Sequence, residues 1–325
     1  MKRYGNLFEK IIDIDNLLLA HYNARKGKTH YSEVQEIDKD PLFYCKQIQQ
    51  MLINQTYKVS EYRIKEIYEP KHRIIYILPY YPDRIIQHAI MQIINPIFES
   101  TFIYTSYAAR KGKGLHDASQ KLYEYLQNKN ATLYCLQFDI HQFYPSINHE
   151  ILKLFINKKI KCKQTLHLID IIIDSNNPGI PIGNYISQLF GNIYLNELDH
   201  YIKEKLQCKY YIRYCDDGII LDHSKEHLIN IKQLILQYLH KIYLTLKSTT
   251  IIFPSYIGIN FLGYIHYNQY IKLRKSIKLK MIKTLKNLHI TTKNPISIIA
   301  SYKGWLIHCN GKTLYNKYIG NISYI

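Results

Sequence analysis

YIRYCDDGIIL, residues 211–221, places two adjacent carboxylates, Asp216 and Asp217, inside a run that is otherwise suited to burial. Burying an unpaired carboxylate is costly, and two adjacent carboxylates repel each other. The pattern predicts a β-hairpin, with an apolar strand on either side of a turn formed by Asp216, Asp217 and Gly218. Such turns are common on protein surfaces, so the motif needs a second feature before it indicates a function.

A third acid, Asp139, lies 77 residues before Asp216, near the end of TLYCLQFDI (residues 132–140), whose alternation predicts a buried strand. Three carboxylates at adjoining strand ends are stable if they bind divalent cations, because coordination replaces their mutual repulsion. Two such ions, about 3.5–4 Å apart, stabilise the attacking and leaving oxygens of an in-line phosphoryl transfer. We therefore predict that Asp139, Asp216 and Asp217 are catalytic and bind two Mg²⁺ ions, for which Mn²⁺ can substitute. The competing interpretation is that they are exposed turn acids.

Other catalytic motifs are absent from the sequence, which has no GxxxxGK[ST] phosphate loop, no GxSxG nucleophile turn and no HExxH zinc motif. None of the six cysteines forms a Cys-x-x-Cys pair, so we expect reduced thiols in a cytoplasmic protein. No apolar run reaches the length of a membrane span, and the N-terminus is unlike a signal peptide. We therefore expect no membrane partner.

The chain of 325 residues carries a net charge of +18, which indicates a polyanionic partner. The charge is unevenly distributed, because the 99 residues from His227 to Ile325 contain fourteen Lys or Arg and no Asp or Glu. Lysines on solvated helix faces would explain a modest bias, but a stretch without any acid favours a track for nucleic acid.

Helical and strand-like segments alternate along the chain. Residues 83–98 and 274–288 have apolar residues at helical spacing, and the second segment also carries lysines on its other faces. Residues 71–80 alternate as a strand does, and the strands around the Asp-Asp pair would run antiparallel. Antiparallel strands mixed with helices favour an α+β fold over a doubly wound sheet.

Five segments, in this order along the chain, resemble the sequence motifs of the reverse transcriptases. They are SYAARKGKGLHDA (106–118), LQFDIHQFYPSI (136–147), GIPIGNYISQLFGNIYLNELD (179–199), YCDD (214–217) and FLGY (261–264). The resemblance implies a right-hand polymerase with fingers, a palm made of an antiparallel sheet with helices, and a helical thumb. The implied parts are a helical N-terminal extension (1–58), fingers (59–130), the first part of the palm (131–146), a fingers insertion (147–180), the second part of the palm (181–265) and a basic thumb (266–325).

The resemblance also implies roles for individual residues. The implied metal ligands are Asp139, Ile140, Asp216 and Asp217. The residues implied to contact the incoming nucleotide are Lys71, Arg73, Tyr144, Ile182, Gly183 and Lys247. Those implied to contact template and primer are Arg110, Lys113, Gly263, Lys278, Lys283 and Lys286. Tyr144 would be the aromatic gate that excludes a ribose 2′-OH, with Phe143 as the competing candidate, and a solvated surface position is the competing interpretation for Lys71 and Lys247.

Within the family, IGNYISQLFGNIYLNELD (182–199) and SYKGWLIHCN (301–310) most resemble the reverse transcriptases of diversity-generating retroelements, which bacteria and phages encode. The resemblance implies error-prone copying, at template adenines, of a template-repeat RNA into cDNA that replaces a variable repeat in a target gene. Ile182 stands where most bacterial relatives have glutamine, and we hypothesise that the lost polar contact lowers fidelity. The implied partners are template RNA, the primer–template duplex, deoxynucleotides and a small, basic, oligomeric accessory protein.

Two alternatives remain open at this stage. The first is a phage-defence or retron-type reverse transcriptase, although no VTG tripeptide follows the Asp-Asp hairpin as it would in a retron enzyme. The second is a non-catalytic RNA-binding relative of the polymerases, which the intact set of three acids argues against.

Overall fold

The computed structural model of the protein describes residues 2–68, 72–288 and 294–320. The chain forms two compact units, each built from three separate segments. Unit 1 consists of Met1–Ile103, Ile140–His200 and Tyr238–Thr245, and unit 2 consists of Tyr104–Asp139, Tyr201–Gln237 and Leu246–Ile325. The division into extension, fingers, palm and thumb remains a prediction. Among the predicted site residues, Lys71 lies outside the described residues.

Helices and strands of the described residues are named in chain order. The α-helices are α1 (Phe8–Ile12), α2 (Ile14–Ala24), α3 (Ser32–Ile37), α4 (Pro41–Ile53), α5 (Ile85–Glu99), α6 (Leu115–Leu126), α7 (Phe143–Ser146), α8 (His149–Asn157), α9 (Lys163–Ile173), α10 (Ser187–His200), α11 (Lys225–Lys241), α12 (Lys275–Lys286), α13 (Pro295–Ile307) and α14 (Lys312–Tyr318). The strands are β1 (Arg63–Ile67), β2 (Arg73–Ile77), β3 (Tyr134–Asp139), β4 (Tyr210–Tyr214), β5 (Asp217–Asp222), β6 (Ile251–Pro254), β7 (Ile259–Phe261), β8 (Tyr264–His266) and β9 (Ile271–Leu273). Within this part of the chain, no helix combines the length and the apolar character needed to cross a membrane.

Unit 1 is mainly helical. Helix α2 begins where the Asp13 carboxylate accepts hydrogen bonds from the backbone N–H groups of Asp15 (2.9 Å) and Asn16 (3.2 Å), which have no partner within the first helical turn. Helix α2 packs against α5, and Gln92 Nε2 donates to Asn16 Oδ1 at 2.8 Å across this contact. The antiparallel strands β1 and β2 form a largely exposed two-stranded ribbon, which presents Arg73 to solvent.

Unit 2 contains a four-stranded antiparallel sheet with the order β4-β5-β3-β6. Asp217 is the first residue of β5, and it lies opposite both Asp139 on β3 and Tyr214 on β4. The predicted hairpin and the predicted strand around Asp139 are therefore neighbours in one sheet. Helix α6 packs against the sheet, where Ala118 and Leu122 are buried in one apolar cluster with residues of β3, β4, β5 and β7.

A second, three-stranded antiparallel sheet of unit 2 has the order β7-β8-β9. Helix α12 buries Met281 and Leu285 in a cluster with Tyr264 of β8 and Leu306 of α13. The predicted amphipathic helix over residues 274–288 is confirmed as α12, because Ile277, Met281 and Leu285 pack in this cluster and its lysines are exposed. Helices mixed with antiparallel sheets confirm the predicted α+β class.

Candidate active site

The hairpin of residues 211–221 turns one residue earlier than the sequence pattern predicts. Tyr214 pairs with Asp217, so the two-residue connection consists of Cys215 and Asp216, and Asp217 and Gly218 already belong to β5. The prediction of a turn formed by Asp216, Asp217 and Gly218 is therefore wrong. Cys215 takes the left-handed backbone conformation at φ 55° that the tight turn demands, rather than the glycine that sequence rules favour there.

The turn is held from within the sheet by Arg213, a residue that sequence reasoning did not select. The side chain of Arg213 is fully buried, and its Nη1 donates to the backbone carbonyl of Cys215 at 2.8 Å. Its backbone also pairs with the chain at Thr105 and Tyr107, at 3.0 Å in each case. A lone arginine in the middle of an apolar strand was the available signal, because a buried charge needs partners.

Asp139 and Asp216 form a close carboxylate pair at the end of the sheet. Burial, and then the negative charge of Asp139, raise the pKa of the Asp216 carboxyl. Asp139 Oδ1 is buried and receives no hydrogen bond from any residue that the structure describes. A buried carboxylate oxygen without a donor, beside a second carboxylate, matches the hard oxygen ligands that Mg²⁺ and Mn²⁺ prefer. The donor set therefore fits a divalent cation.

Lys247 belongs to the same carboxylate site. Its ammonium contacts Asp139 Oδ2, and its backbone N–H donates to the Asp139 backbone carbonyl at 2.8 Å. Lys247, which was predicted to contact the nucleotide, therefore lies in direct contact with Asp139, a predicted metal ligand. In this arrangement the lysine offsets the charge of the carboxylate that it touches.

The two other predicted metal ligands are placed differently. Asp217 lies opposite Asp139 in the strand register, but no group of three His, Cys, Asp or Glu side chains in the described ranges is arranged to hold a metal ion. The structure thus brings together a pair of acids, with the third beside it on the backbone. Ile140 is buried and can offer only its backbone carbonyl, and its role as a ligand remains a prediction.

Position 218 has room only for glycine, because Phe138 lies against it on the neighbouring strand. Phe138 lies directly opposite Gly218 in the β3–β5 pairing, and its ring covers the glycine. A Cβ atom at Gly218 would lie 2.1 Å from Phe138 Cζ, far inside contact distance. The ring of Phe138 is itself 2% exposed, so it has little room to move. This packed pair immediately precedes Asp139 and therefore helps to fix the end of β3.

Within unit 1, the structure places Ile182 and Gly183 against β2, the strand that begins at Arg73. The backbone carbonyl of Ile182 accepts a hydrogen bond from the backbone N–H of Tyr76 at 2.7 Å, which ties the loop to β2, the strand of Arg73. Gly183 has φ 124°, and a Cβ there would lie 2.3 Å from the carbonyl oxygen of Tyr76. Only glycine fits this approach. Gly183 was predicted to allow close approach of the backbone to the nucleotide. The close approach that the structure shows is to β2, and the contact with the nucleotide remains a prediction.

Tyr144 and Phe143, the two candidates for the aromatic gate, lie together on α7. Phe143 is 3% exposed and belongs to the core, whereas Tyr144 is half-buried. A Cβ atom at Gly191 of α10 would lie 3.1 Å from the Phe143 ring and 3.4 Å from the Tyr144 ring, so both rings rest on this helix. The partial exposure favours Tyr144 for contact with a ligand, and its role as gate remains a prediction.

A half-buried arginine of unit 1, Arg84, was also missed by sequence reasoning. Its Nε is buried and has no hydrogen-bond partner in the described part of the chain. Burial lowers the pKa of the Arg84 guanidinium, and burial followed by the charge of Arg84 lowers the pKa of Lys28. Two cations that lie close together in a partly buried site form a candidate contact for a phosphate group. The PDR sequence before α5 carries no pattern that predicts this.

Arg110 and Lys113 stabilise their own loop. Arg110 Nη1 donates to the Ser106 carbonyl at 2.6 Å. The Lys113 ammonium contacts the Tyr104 carbonyl and lies 3.6 Å from the centre of the Tyr104 ring. Their predicted contacts with the template are untested, and any such contact would compete with these internal partners.

The remaining predicted template–primer residues lie in the second half of unit 2. Gly263 occupies the two-residue turn between β7 and β8 at φ 87°. A Cβ atom there would lie 2.6 Å from the Trp305 ring, so the turn backs onto α13. Lys278, Lys283 and Lys286 are exposed on α12. Their exposure is compatible with phosphate contacts, which remain predictions.

The sequence is similar to those of known reverse transcriptases and related proteins. Residues 44–266 match the sequence profile of the family described as reverse transcriptase (RNA-dependent DNA polymerase). Protein YkfC of Escherichia coli K12 is 28% identical over 140 residues, which cover 39% of this chain and 37% of YkfC. The group II intron-encoded protein LtrA of Lactococcus lactis subsp. cremoris is 27% identical over 135 residues, which cover 38% of this chain and 22% of LtrA. The chain thus spans well under half the length of these relatives.

A solved structure supports the fold. Apo telomerase from Candida tropicalis superimposes with a TM-score of 0.53 at 14% identity, over 70% of this chain and 52% of the telomerase chain. This likeness concerns the fold alone, and it confirms the predicted right-hand polymerase class. Because the family match covers more than half of its residues, the chain belongs to the reverse transcriptase (RNA-dependent DNA polymerase) family.

Proposed function

We propose that the protein is an RNA-directed DNA polymerase, which extends the 3′-OH of a primer with deoxynucleotides along an RNA template. The observation that carries this proposal is the carboxylate pair of Asp139 and Asp216 with Lys247 in contact with it. Phosphoryl transfer needs groups that stabilise charge on the attacking and leaving oxygens, and a paired acid site on rigid strand ends is suited to that task. Membership of the reverse transcriptase family supports the choice of template and product.

Asp139 and Asp216 would hold divalent cations, with Asp217 and the carbonyl of Ile140 as further predicted ligands. Cations held there would stabilise negative charge on the attacking 3′-oxygen and on the leaving pyrophosphate. Lys247, whose ammonium contacts Asp139 at the edge of this site, would donate a proton as the pyrophosphate leaves. Arg213 keeps the turn that carries Asp216 in place.

Residues of unit 1 would bind the incoming nucleotide. Arg73 on the exposed ribbon would bind the triphosphate, and Tyr144 would exclude the 2′-OH of a ribonucleotide. Arg84 and Lys28 would offer a second contact for phosphate, from either the nucleotide or the template strand. These roles rest on the family resemblance for Arg73 and Tyr144, and, for Arg84, on a buried Nε that has no hydrogen-bond partner among the described residues.

Primer extension on a defined RNA template with Mg²⁺ tests the proposal. Wild-type protein should extend the primer, and Asp216→Asn should reduce the rate by about a thousandfold, since several kcal/mol of charge stabilisation are lost. Asp222→Asn is a matched control, because Asp222 ends the same strand that begins at Asp217, and it should retain activity.

Three other results would overturn the proposal or replace it. Equal activity of wild type and Asp216→Asn would exclude the carboxylate pair as the site. Product formed without template would support the phage-defence alternative. RNA binding without any synthesis by the wild type would support the non-catalytic alternative.

We further propose that the enzyme belongs to a diversity-generating retroelement and copies its template RNA with errors at adenines. The support is the resemblance of residues 182–199 and 301–310, together with Ile182 in place of glutamine. A bacterial or phage-encoded protein of the cytoplasm, with a small basic accessory protein as partner, would follow. Because this chain is itself basic, shared RNA would bridge the two proteins better than electrostatic attraction would.

The substitution Ile182→Gln tests the fidelity hypothesis. A glutamine side chain can hydrogen-bond to the nucleotide, and a polar contact supports more discrimination than an apolar one. We expect the frequency of misincorporation opposite adenine to fall by about tenfold, with errors opposite the other bases changing less. Sequencing of the cDNA products measures this spectrum. Ile182→Leu is the control for altered side-chain shape, and an unchanged spectrum in Ile182→Gln would refute the hypothesis.

A further inference from the structure

His116, Tyr264, Trp305 and His308 form a polar and aromatic cluster within unit 2, which we call the His116 joint. The Tyr264 hydroxyl donates to the Trp305 carbonyl at 2.9 Å, and its oxygen lies 3.1 Å from His116 Nδ1. Since the single hydroxyl hydrogen is already used, His116 Nδ1–H must be the donor in the second bond. The His116 ring lies edge-on to Trp305, with 5.7 Å between centroids, and stacks on His308 at 3.9 Å.

The joint lies directly behind the turn between β7 and β8. Leu262 and Gly263 form this turn with φ values of 50° and 87°, and the turn leads into Tyr264 of the joint. A Cβ atom at Gly263 would lie 2.6 Å from Trp305 and 2.8 Å from Ile277 of α12. The Leu262–Gly263 turn therefore packs against the ring of Trp305. His116 and Tyr264 hold Trp305 in place.

His116 connects this turn to the basic loop that precedes α6. It is the second residue of α6, which begins immediately after the loop of Arg110 and Lys113. A second bond, from Ser119 Oγ to His266 Nε2 at 2.7 Å, joins α6 to β8. Burial, followed by the charge of His308, lowers the pKa of His116.

We propose that His116 is a positioning residue that locks the Leu262–Gly263 turn against α13, so that the turn and the basic loop grip the primer–template duplex as one surface. The proposal rests on the proposed polymerase function for its ligand. It assigns to His116 an effect on duplex affinity and none on the affinity for the incoming nucleotide, because its contacts within the described residues run to Tyr264 of β8, to Trp305 of α13 and to His308.

The chain offers its own reporter, because Trp305 is its single tryptophan. Emission of Trp305 should change saturably when a short RNA–DNA duplex is added to the full-length wild type, and the midpoint gives the duplex Kd without any catalysis. His116→Phe keeps a ring but removes the donor, and we expect its Kd to rise about fivefold, on the order of one lost hydrogen bond. His116→Asn keeps an N–H at the position of Nδ1 and should bind within about twofold of the wild type.

Steady-state primer extension completes the test. In His116→Phe, the KM for the duplex should rise with Kd, while the KM for deoxynucleotide should stay unchanged. Tyr264→Phe, which removes both hydrogen bonds and retains the ring, should reproduce this split and serves if His116→Phe folds poorly by thermal unfolding. The exposed His240→Phe on α11 is the matched control and should match the wild type in every respect.

Two results would overturn the proposal. One is duplex binding by His116→Phe and Tyr264→Phe that equals the wild type. The other is an equal rise of both KM values, which would indicate a general loss of structure. The wild type could also bind the duplex without polymerase activity, while the variants still bind it more weakly. That result would reject the proposed function but support the role of the His116 joint, so the two failures are distinguishable.

Discussion

A glycine follows the two aspartates because an aromatic ring occupies the space where a side chain would lie. The ring of Phe138 covers Gly218 from the neighbouring strand, and the next residue after Phe138 is the catalytic candidate Asp139. The motif therefore encodes a packing constraint as well as two acids. Arg213 adds a second constraint, because it holds the carbonyl of Cys215 from inside the sheet.

The substitution Gly218→Ala tests the packing constraint. The added methyl group would displace the buried ring of Phe138, and overpacking of this kind costs about 1–3 kcal/mol in the free energy of unfolding. Because the shift acts on the residue beside Asp139, polymerase activity should fall further than stability alone would explain. Urea unfolding and primer extension at a temperature where the variant remains folded measure the two effects.

Gly304→Ala is the control for the same chemical change. A Cβ atom at Gly304 meets nothing within 4 Å, and the residue lies inside helix α13. Alanine is the better helix former, so we expect a gain of up to about 1 kcal/mol in the free energy of unfolding. A destabilising effect of both substitutions to the same extent would contradict the role assigned to the ring of Phe138.

Among the elements, helix α6 and strand β8 are joined by a fully buried histidine. His266 Nε2 lies 2.7 Å from Ser119 Oγ, and its Nδ1 lies 3.2 Å from the Ile259 carbonyl. The carbonyl can only accept, so Nδ1 donates to it, and in the neutral ring Nε2 accepts from the serine hydroxyl. Burial lowers the pKa of His266 from 6.5 to about 4.

This pKa shift predicts how stability depends on pH. Between pH 6.5 and 4 the unfolded chain binds a proton that the folded chain excludes, so the free energy of unfolding falls as the pH falls through this window. For His266 alone the loss from pH 7 to pH 5 is about 2 kcal/mol. His88, whose pKa burial also lowers to about 4, acts in the same direction in the other unit.

The variant His266→Gln isolates this contribution. Its free energy of unfolding, measured in urea at pH 7 and pH 5, should decline by about 2 kcal/mol less than that of the wild type over the same interval. His240→Gln on the surface should leave the decline unaltered. A decline in His266→Gln that is as steep as in the wild type would show that His266 can take up a proton in the fold.

Sequence reasoning identified elements better than it identified contacts. The strand before Asp139, the hairpin and α12 could be predicted because their apolar residues recur with the period of the element. The position of the turn could not, since Cys215 in a left-handed conformation breaks the rule that glycine marks such a turn. The turn is also held by the hydrogen bond from Arg213 to the backbone carbonyl of Cys215. A residue pattern cannot predict this bond, because every residue has a backbone carbonyl.

At the scale of the whole molecule, charge is the feature that composition already reveals. The 99 residues from His227 onward contain no Asp or Glu. Within this stretch, helix α12 exposes Lys278, Lys283 and Lys286. Because a lysine bound to phosphate releases a counterion, affinity for a duplex should fall steeply with salt. Composition can predict this surface, since exposed lysines have few competing partners.

The triple substitution of Lys278, Lys283 and Lys286 by glutamine tests the surface on α12. The slope of log Kd for an RNA–DNA duplex against log salt should decrease by about 0.9 for each lysine that contacts a phosphate. Fluorescence titrations between low and moderate salt measure the slope. Lys26, Lys39 and Lys46, which are exposed in unit 1, form a matched triple. Equal slopes for the two triples would contradict a specific role of α12.

The candidate site itself was predictable only in part. Asp139 and Asp216 were found because acids in apolar strands are rare, and the structure brings these two together. Lys247 was predicted from resemblance, and its contact with Asp139 gives it a physical basis. Arg84 was missed, because a buried Nε that lacks a hydrogen-bond partner among the described residues can be recognised only once its surroundings are known.

The division of each unit into three stretches of chain has a consequence for synthesis on the ribosome. The polypeptide passes from one unit to the other five times, and unit 1 lacks Tyr238–Thr245 until that late segment has been translated. Unit 1 therefore cannot complete its core, which includes the buried Ile242 and Leu244, before Tyr238–Thr245 has emerged from the exit tunnel. We expect nascent chains released before Tyr238 to remain open to protease, and to become resistant only after later segments have joined them.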